Sequence, residues 1–353
     1  MRILTSVLCL TFVTLQGQPA AQGGAPAQPL ASAIAAIASA SDGVTWITWS
    51  VPAAPTARLT CCDRAAWIRG TRLRGDRPAA AAGSKTPCLV EDRHSFSMSD
   101  EGTPPDRIMI LVKVESRRVG RVRVERDDCQ LDFGRASVVA LPGVAPPESV
   151  AWLEQHFKTG SGRHEPHGDV TLAALALHGD PAADRVLERF VRAGEPSETR
   201  RGAAFWLASA RGRRGYDTLR GLLGDRDDSF REHLTFALHV SPEADATVDL
   251  INLAKHDAAS GVRRQALFWL AQRAGEAAVS TLKAAVDDDP DADVRQHAVF
   301  AVSQLPRDRS VPLLIELSRT HRSPEVRRQA IFWLGQSDDP RALAYFEEVL
   351  GRP

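Results

Sequence analysis

Five arginines recur down the second half of the chain at a nearly fixed step: Arg200, Arg231, Arg263, Arg295 and Arg327, spaced by 31, 32, 32 and 32 residues. Each is followed at an offset of five by a phenylalanine: Phe205, Phe236, Phe268, Phe300 and Phe332. At an offset of three stand Ala203, Leu234, Ala266, Ala298 and Ala330. Three columns in phase define an internal repeat, and a period in the low thirties is that of stacked helical pairs. The fullest copies run Val262-Arg263-Arg264-Gln265-Ala266-Leu267-Phe268-Trp269-Leu270 and Val326-Arg327-Arg328-Gln329-Ala330-Ile331-Phe332-Trp333-Leu334. Segments such as Asp289-Pro290-Asp291 and Ser323-Pro324-Glu325 precede them and suit a helix N-terminus. After the last copy, Gly335 to Pro340 breaks the pattern and a second helix is expected from Arg341 to Leu350. A weaker copy begins at Val170 and turns at Asp180-Pro181, and a capping helix is expected from Ser149 to Phe157. The expectation is six helical pairs.

A helix of about a dozen residues is marginal alone in water, so each pair is held by burying its apolar stripe against the next. The product is an α-solenoid with an extended concave face. Within it the arginine column reads as structural, each Arg meeting an acid in a neighbouring turn, because Asp225, Asp227, Asp257, Asp287 and Asp339 recur beside it. The other reading is a basic strip that grips a ligand. By helical phase Phe205, Phe236, Phe268, Phe300 and Phe332 are assigned to the repeat core, as are the pairs Phe205-Trp206, Phe268-Trp269 and Phe332-Trp333. A stacking platform is the alternative for the pairs.

The pattern Pro-Glu-Val-Arg-Arg-Gln-Ala, an aromatic, Leu-Gly, then Asp-Pro-x-Ala and a Leu-terminated helix resembles the HEAT-like repeats first associated with phycobilisome lyases, over residues 165 to 351. The resemblance implies the fold and a role as a protein-binding scaffold; some members are enzymes. Deoxyhypusine hydroxylase, built on such repeats, needs recurring His-Glu pairs for its di-iron site, and here His164-Glu165 is the only such pair. The first half is similar to a region found ahead of these repeats in exported bacterial proteins, through Cys61-Cys62 and Asp128-Cys129-x-Leu. That similarity names no activity.

The fold expected overall is α+β by domain: a small disulfide-bonded β-rich domain followed by the all-α solenoid. Met1-Arg2, an apolar run from Ile3 to Leu15 and small residues behind it have the parts of a secretory signal peptide, assigned to 1–21. Residues 22–42 are Ala, Gly, Pro, Gln and Ser with little else, which predicts a disordered leader. Residues 43–141 carry strand signals at Val44 to Val51 and Arg107 to Val114, with a hairpin continuing through Val122 and Val124. Residues 142–148, Pro142-Gly143-Val144-Ala145-Pro146-Pro147-Glu148, are read as a linker, and 149–353 as the solenoid.

Four cysteines remain beyond the signal: Cys61, Cys62, Cys88 and Cys129. An even number in an exported chain suggests two disulfides, one from each of Cys61 and Cys62 to Cys88 and Cys129, with the pairing open. A vicinal bridge would strain the peptide between Cys61 and Cys62.

Lys+Arg and Asp+Glu balance at 44 each, so no global field favours nucleic acid or an anionic membrane. No stretch after the signal suggests a membrane span. His164, Glu165, His167 and Asp169 have metal-ligand chemistry but sit in a Gly- and Pro-containing loop, so neither metal nor cofactor is assigned. No Gly-x-Ser-x-Gly elbow, His-Glu-x-x-His helix or phosphate-cradling loop occurs. The expectation is a non-catalytic, monomeric scaffold, periplasmic or secreted, that binds a protein or peptide on the concave face. The rival is an enzyme, either an oxidoreductase or lyase on the repeats or a thiol redox activity at Cys61-Cys62.

Overall fold

The computed structural model describes residues 28–59, 61, 88–90, 104–159, 170–273 and 275–351. The expected signal peptide, Cys62, the Cys88 side chain and the cluster His164, Glu165, His167 and Asp169 lie outside the described residues.

The described chain opens with helix α1 (Leu30–Ala40) and strand β1 (Thr45–Pro52), followed by β2 (Cys88–Leu89), β3 (Arg107–Glu115), β4 (Arg118–Arg126), β5 (Leu131–Asp132) and β6 (Ser137–Ala140). Helix α2 (Pro146–Lys158) leads into six helical pairs. They are α3 (Val170–Leu177) with α4 (Pro181–Phe190), α5 (Ser197–Ala210) with α6 (Gly212–Arg220), and α7 (Asp228–Val240) with α8 (Asp245–His256). The last three are α9 (Ser260–Arg273) with α10 (Glu276–Asp288), α11 (Ala292–Ser303) with α12 (Arg307–Thr320), and α13 (Pro324–Gly335) with α14 (Pro340–Leu350).

Local chemistry sets the helix starts. Asp180, Asp227, Asp291, Ser323 and Asp339 each accept a backbone N–H of the turn they precede, and Pro181, Pro324 and Pro340 stand at first helical positions, where no N–H is needed. The first helices α5, α7, α9, α11 and α13 pack closely on one another along the row, whereas the second helices touch one another little and α8, α10 and α12 pack mainly on the first helix of the following pair. A row that is tighter along one side bends toward it, so the first helices line the concave side.

The leader expected over 22–42 is helical in its second part. Leu30, Ile34 and Ala38 recur every four residues and are buried, so α1 has one apolar stripe docked near α2 and β4. Alanine, which lowered the apparent core content of this segment, is also the best helix former. The N–H of Leu30 at the helix start donates to the Glu148 carboxylate on α2.

The four-stranded sheet has the order β4-β3-β1-β6, antiparallel except for β1 and β6, which run parallel. The β3–β4 hairpin turns on Ser116 and Arg117, both with positive φ, as a two-residue hairpin turn requires. Cys61 is bonded to Cys129, closing a separation of 68 residues, a constraint worth about 4 kcal/mol on chain-entropy grounds.

The β-rich region and the solenoid share one core. Ile47, Trp49, Ile110 and Val112 of the sheet are buried in the same cluster as Leu153 of α2 and Leu172, Leu187, Leu207 and Leu234 of the first helical pairs. The linker expected at 142–148 is correspondingly short, since α2 already begins at Pro146. The Trp49 indole N–H donates to the buried Ser149 hydroxyl at 2.9 Å, and the ring meets Trp152 edge-on. At the end of β1 the backbone joins the first repeat directly: Ala54 N–H donates to Leu177 O and Gly179 N–H to Pro52 O, both at 2.7 Å. A Cβ at position 179 would lie 2.7 Å from Ala53 O and 2.9 Å from Pro52 O, so this junction requires glycine. The sheet thereby closes the N-terminal end of the solenoid. At the other end Ile331, Phe332, Leu343 and Leu350 are exposed on the last pair.

His178 sits at the same junction, fully buried, with Nδ1 accepting the Asp180 N–H at 3.1 Å. Burial pushes its imidazole down to about 4, with Asp180 pulling upward and Arg211 adding to the depression. The native state therefore excludes the proton that the unfolded chain takes up below its ordinary value of 6.5. Stability from this group is complete above that value and is lost as pH falls toward 4, by about 3 kcal/mol.

Two measurements check the junction. Gly179→Ala should lower stability by about 1–3 kcal/mol in urea unfolding, while Gly224→Ala, where a Cβ meets nothing within 4 Å, should change it little. Urea unfolding at neutral pH and near pH 4 should show a smaller acid loss in His178→Asn, whose amide oxygen still accepts from Asp180, than in the parent. Equal losses would remove His178 as the cause.

Candidate functional site

The arginine column lies at the starts of the first helices, and its side chains are turned inward. Arg231 forms a bidentate pair with Asp257 (2.9 and 2.8 Å), and Arg263 with Asp289 (2.9 and 3.0 Å). Arg200 reaches Asp225 at 2.6 Å and lies over the Phe230 ring at 3.6 Å. The same guanidinium also reaches backward: Arg231 Nη1 donates to Asp225 O, Arg263 to Asp257 O, Arg295 to Asp289 O and Arg327 to His321 O. Each carboxylate in turn accepts an N–H two residues on, as Asp257 does from Ala259 and Asp289 from Asp291. Burial pushes the Asp257 carboxyl up, but Arg231 and the Ala259 N–H outweigh it and hold the group below the ordinary carboxylate range.

The ladder is incomplete at its C-terminal end. The position 32 residues beyond Asp289 is His321, whose Nδ1 accepts the Ser323 N–H just as the aspartates accept theirs, but which gives Arg295 no carboxylate. The acid that completes the Arg263 rung is Asp289 and not the expected Asp287, which lies in the same acidic run and faces His321. Two further arginines cap helix ends: Arg211 donates to Ala176 O and His178 O, and Arg273 to Leu238 O, His239 O and Ser241 O.

The phenylalanine column departs from its expected place in the repeat core. Phe205, Phe236, Phe268 and Phe300 are half-buried and Phe332 is 54 % exposed. The core positions of α9 are Val262, Ala266, Leu267 and Leu270. At 100° per residue the centre of Ala266, Leu267 and Leu270 lies roughly 150° from Phe268, a signal in the sequence that would have put the column on the outer surface of the first helices.

On that surface the rings touch in an unbroken row. Phe205 stacks on Phe236 (6.0 Å), Phe236 meets Trp269 (5.0 Å), Phe268 stacks on Phe300 (6.1 Å) and Phe300 meets Trp333 (5.1 Å). Neighbours along one helix, Phe205-Trp206, Phe268-Trp269 and Phe332-Trp333, close the gaps at 4.8 to 5.0 Å. Trp and Ala alternate at the next position, Trp206, Ala237, Trp269, Ala301 and Trp333, so the true unit is two pairs, about twice the single step.

One turn to either side, the row is flanked by Gln265, His297 and Gln329 and by Gln272, Gln304 and Gln336, with Arg201, Glu232, Arg264 and Arg328 also one turn toward the helix starts. Burial holds the His233 and His297 imidazoles below their ordinary value, so both are neutral near pH 7. Charges stand nearer the helix starts, in pairs such as Arg201 with Glu198 and Arg328 with Glu325. Trp269 Nε1, Trp333 Nε1 and His297 Nε2 are buried without a hydrogen-bond partner among the described residues. Unpaired buried indole N–H groups and the exposed Phe332 ring both oppose stability, so burial alone does not explain the aromatic composition of this face.

Cys61, Asp128 and Cys129 place one ligand atom each within 4.8 Å of one another, but both sulfurs belong to the disulfide and offer no thiolate. No helix among the described residues is long and apolar enough to cross a membrane.

The family description HEAT repeats matches residues 247–320 and 279–353. The helical region is a solenoid of HEAT-like repeats. Among solved structures, the chain is similar to the Escherichia coli protein YibA, at 23 % identity and TM-score 0.34 over 48 % of this chain and 64 % of that one. It thus spans just under two thirds of YibA. Human deoxyhypusine hydroxylase in complex with glycerol matches at 20 % identity and TM-score 0.26, over 59 % of this chain and 80 % of that one. The complex of CpcE and CpcF of phycocyanin lyase from Nostoc sp. PCC7120 matches at 18 % and 0.31, over 58 % and 80 %. No curated protein matches the chain.

The ladder makes an internal comparison available. Arg263→Ala strands the Asp289 carboxylate in a buried site and should cost about 3–5 kcal/mol. Arg295→Ala removes hydrogen bonds to two carbonyls and strands no carboxylate, so its cost should be about 1–2 kcal/mol. Chemical denaturation of the two variants decides; equal losses would show that the carboxylate pairing is not what holds the rungs.

Proposed function

We propose that this chain is a protein-binding scaffold of the cell envelope whose working surface is the concave face of the first helices. The observation that carries the reading is the aromatic row: rings aligned across five helices, half-buried and outside the core. Aromatic side chains held rigidly by their neighbours give large contact area at low entropic cost, which is how interface hot spots are built. The export signal read in the first 21 residues supports the envelope setting. Cys61 is bonded to Cys129, so a dithiol–disulfide cycle confined to Cys61 and Cys62 would first need that bond to be reduced.

A photo-crosslinking residue placed at Gln304 or Gln336 should trap a partner in intact cells. The same residue at Val248, 56 % exposed on α8 of the opposite side, should not. Phe300→Ala should reduce the Gln336 crosslink about tenfold or more, as loss of a hot-spot aromatic does. Equal trapping at Val248, or indifference to Phe300→Ala, would count against this surface.

A further inference from the structure

The sheet has an open edge at β6, and a hollow lies at the start of that strand on the face turned away from the solenoid. We infer that this edge binds the carboxyl-terminal end of an extended partner chain, paired antiparallel to β6, with its last side chain in the hollow and its terminal carboxylate on Arg135. The site is separate from the aromatic face and does not depend on it.

Strand β6 stands last in the order β4-β3-β1-β6, so one of its sides meets no strand among the described residues. Ser137 N–H donates to Val44 O at 3.1 Å and Leu141 N–H to Thr48 O at 2.8 Å. Alternate residues of a strand turn their backbone groups to opposite sides, so Val138 and Ala140 direct their N–H and C=O away from β1. Each can exchange two hydrogen bonds with a residue of an added strand, which is how an extended peptide augments a sheet. The strand is short, but Ser137, Val138, Val139 and Ala140 include none of the charges or prolines that protect an edge.

Val138 is in register with Trp46 and shares its face, as do Val44 and Ala136 two residues earlier. Trp46 belongs to the small cluster with Val90 and Leu111, not to the core shared with the solenoid, so this is the outer face. There Val44, Leu89, Phe133 and Ala136 line a hollow of about 370 Å³, near the lower limit for a ligand site and suited to one apolar side chain. Phe133 is held edge-on against buried Trp46 at 6.4 Å, which keeps the wall in place. Opposite residues of an antiparallel pair project to the same face. A partner residue opposite Ala136 therefore points into the hollow, and the residue two before it lies on Val138, which is 44 % exposed.

Just before β6 the chain turns, with Gly134 at φ 59° and Ala136 N–H bonded to Phe133 O. The edge ends at this turn, so a paired segment ends there too. Arg135 stands at that point, exposed and without a hydrogen bond or ion pair among the described residues. The acid beside it, Asp132, accepts the Gly134 N–H at 2.8 Å. An unengaged guanidinium one residue past the pocketed position suits a carboxylate on the last residue of the partner.

The test is fluorescence anisotropy on the full chain with the amino-terminally labelled peptide Gly-Ser-Thr-Val-Thr-Leu, as the free acid and as the amide. The free acid should bind about three- to fivefold tighter at low salt, and the gap should close at high salt, as for an exposed ion pair. Arg135→Gln should close the gap at any salt. Ala140→Pro removes an outward N–H, which an edge strand tolerates, and should weaken both peptides about tenfold. Leu89→Ser, at a position 45 % exposed, should weaken both about threefold, and decides if Ala140→Pro loses the parental circular dichroism. No binding of either peptide up to about 1 mM overturns the inference. So does equal binding of acid and amide to the parent, or binding indifferent to a folded Ala140→Pro.

Discussion

A guanidinium buried at the start of a first helix binds backward to a carbonyl of the turn before it and forward to a carboxylate of the turn after it. In Arg263 these are Asp257 O and the side chain of Asp289, so one side chain ties together the turns that precede two successive first helices. The pair is shielded from water, and a poorly aligned buried ion pair costs more than it contributes. The alignment is therefore narrow, and it fixes how far each helix is shifted along its neighbour. The ring row on the outer surface shares that register: Phe268 and Phe300, on the two helices that Arg263 and Asp289 join, stack at 7° between planes.

The N-terminal end of the stack is covered by the sheet and α2, joined through backbone bonds at Pro52, Ala54, Leu177 and Gly179. A terminal repeat ordinarily needs a cap because its outward face is apolar. The β-rich region serves as that cap, which explains why it shares a core with the first pairs and has no long tether to them. Its inward sheet face is consumed by this packing, and the contact surface left to it is the small opposite side around Val44, Leu89 and Phe133.

Much of the solenoid was legible because a period of 32 residues repeats one solution to one problem, and five copies average out local noise. Helix starts at Asp180, Ser323 and Asp339 followed from capping chemistry that needs no tertiary information. Helix α1 was not legible, since its stripe of Leu30, Ile34 and Ala38 is too slight to hold alone and becomes stable only against α2 and the sheet. The regular spacing of the phenylalanines does not by itself say which side of the helix they occupy, since an outward column repeats with the same period as a buried one. Helical angles, which the sequence does contain, separate the two.

Alternation of Trp with Ala behind each Phe has a consequence for how such a chain can change length. A Trp bridges back to the Phe of the pair before it, as Trp269 does to Phe236 and Trp333 to Phe300. Inserting or deleting a single pair would set two Trp-bearing helices, or two Trp-less ones, side by side, and the contact at that seam would be crowded or lost. Growth by duplication keeps the pattern only in even steps, so the number of pairs in this architecture carries a parity.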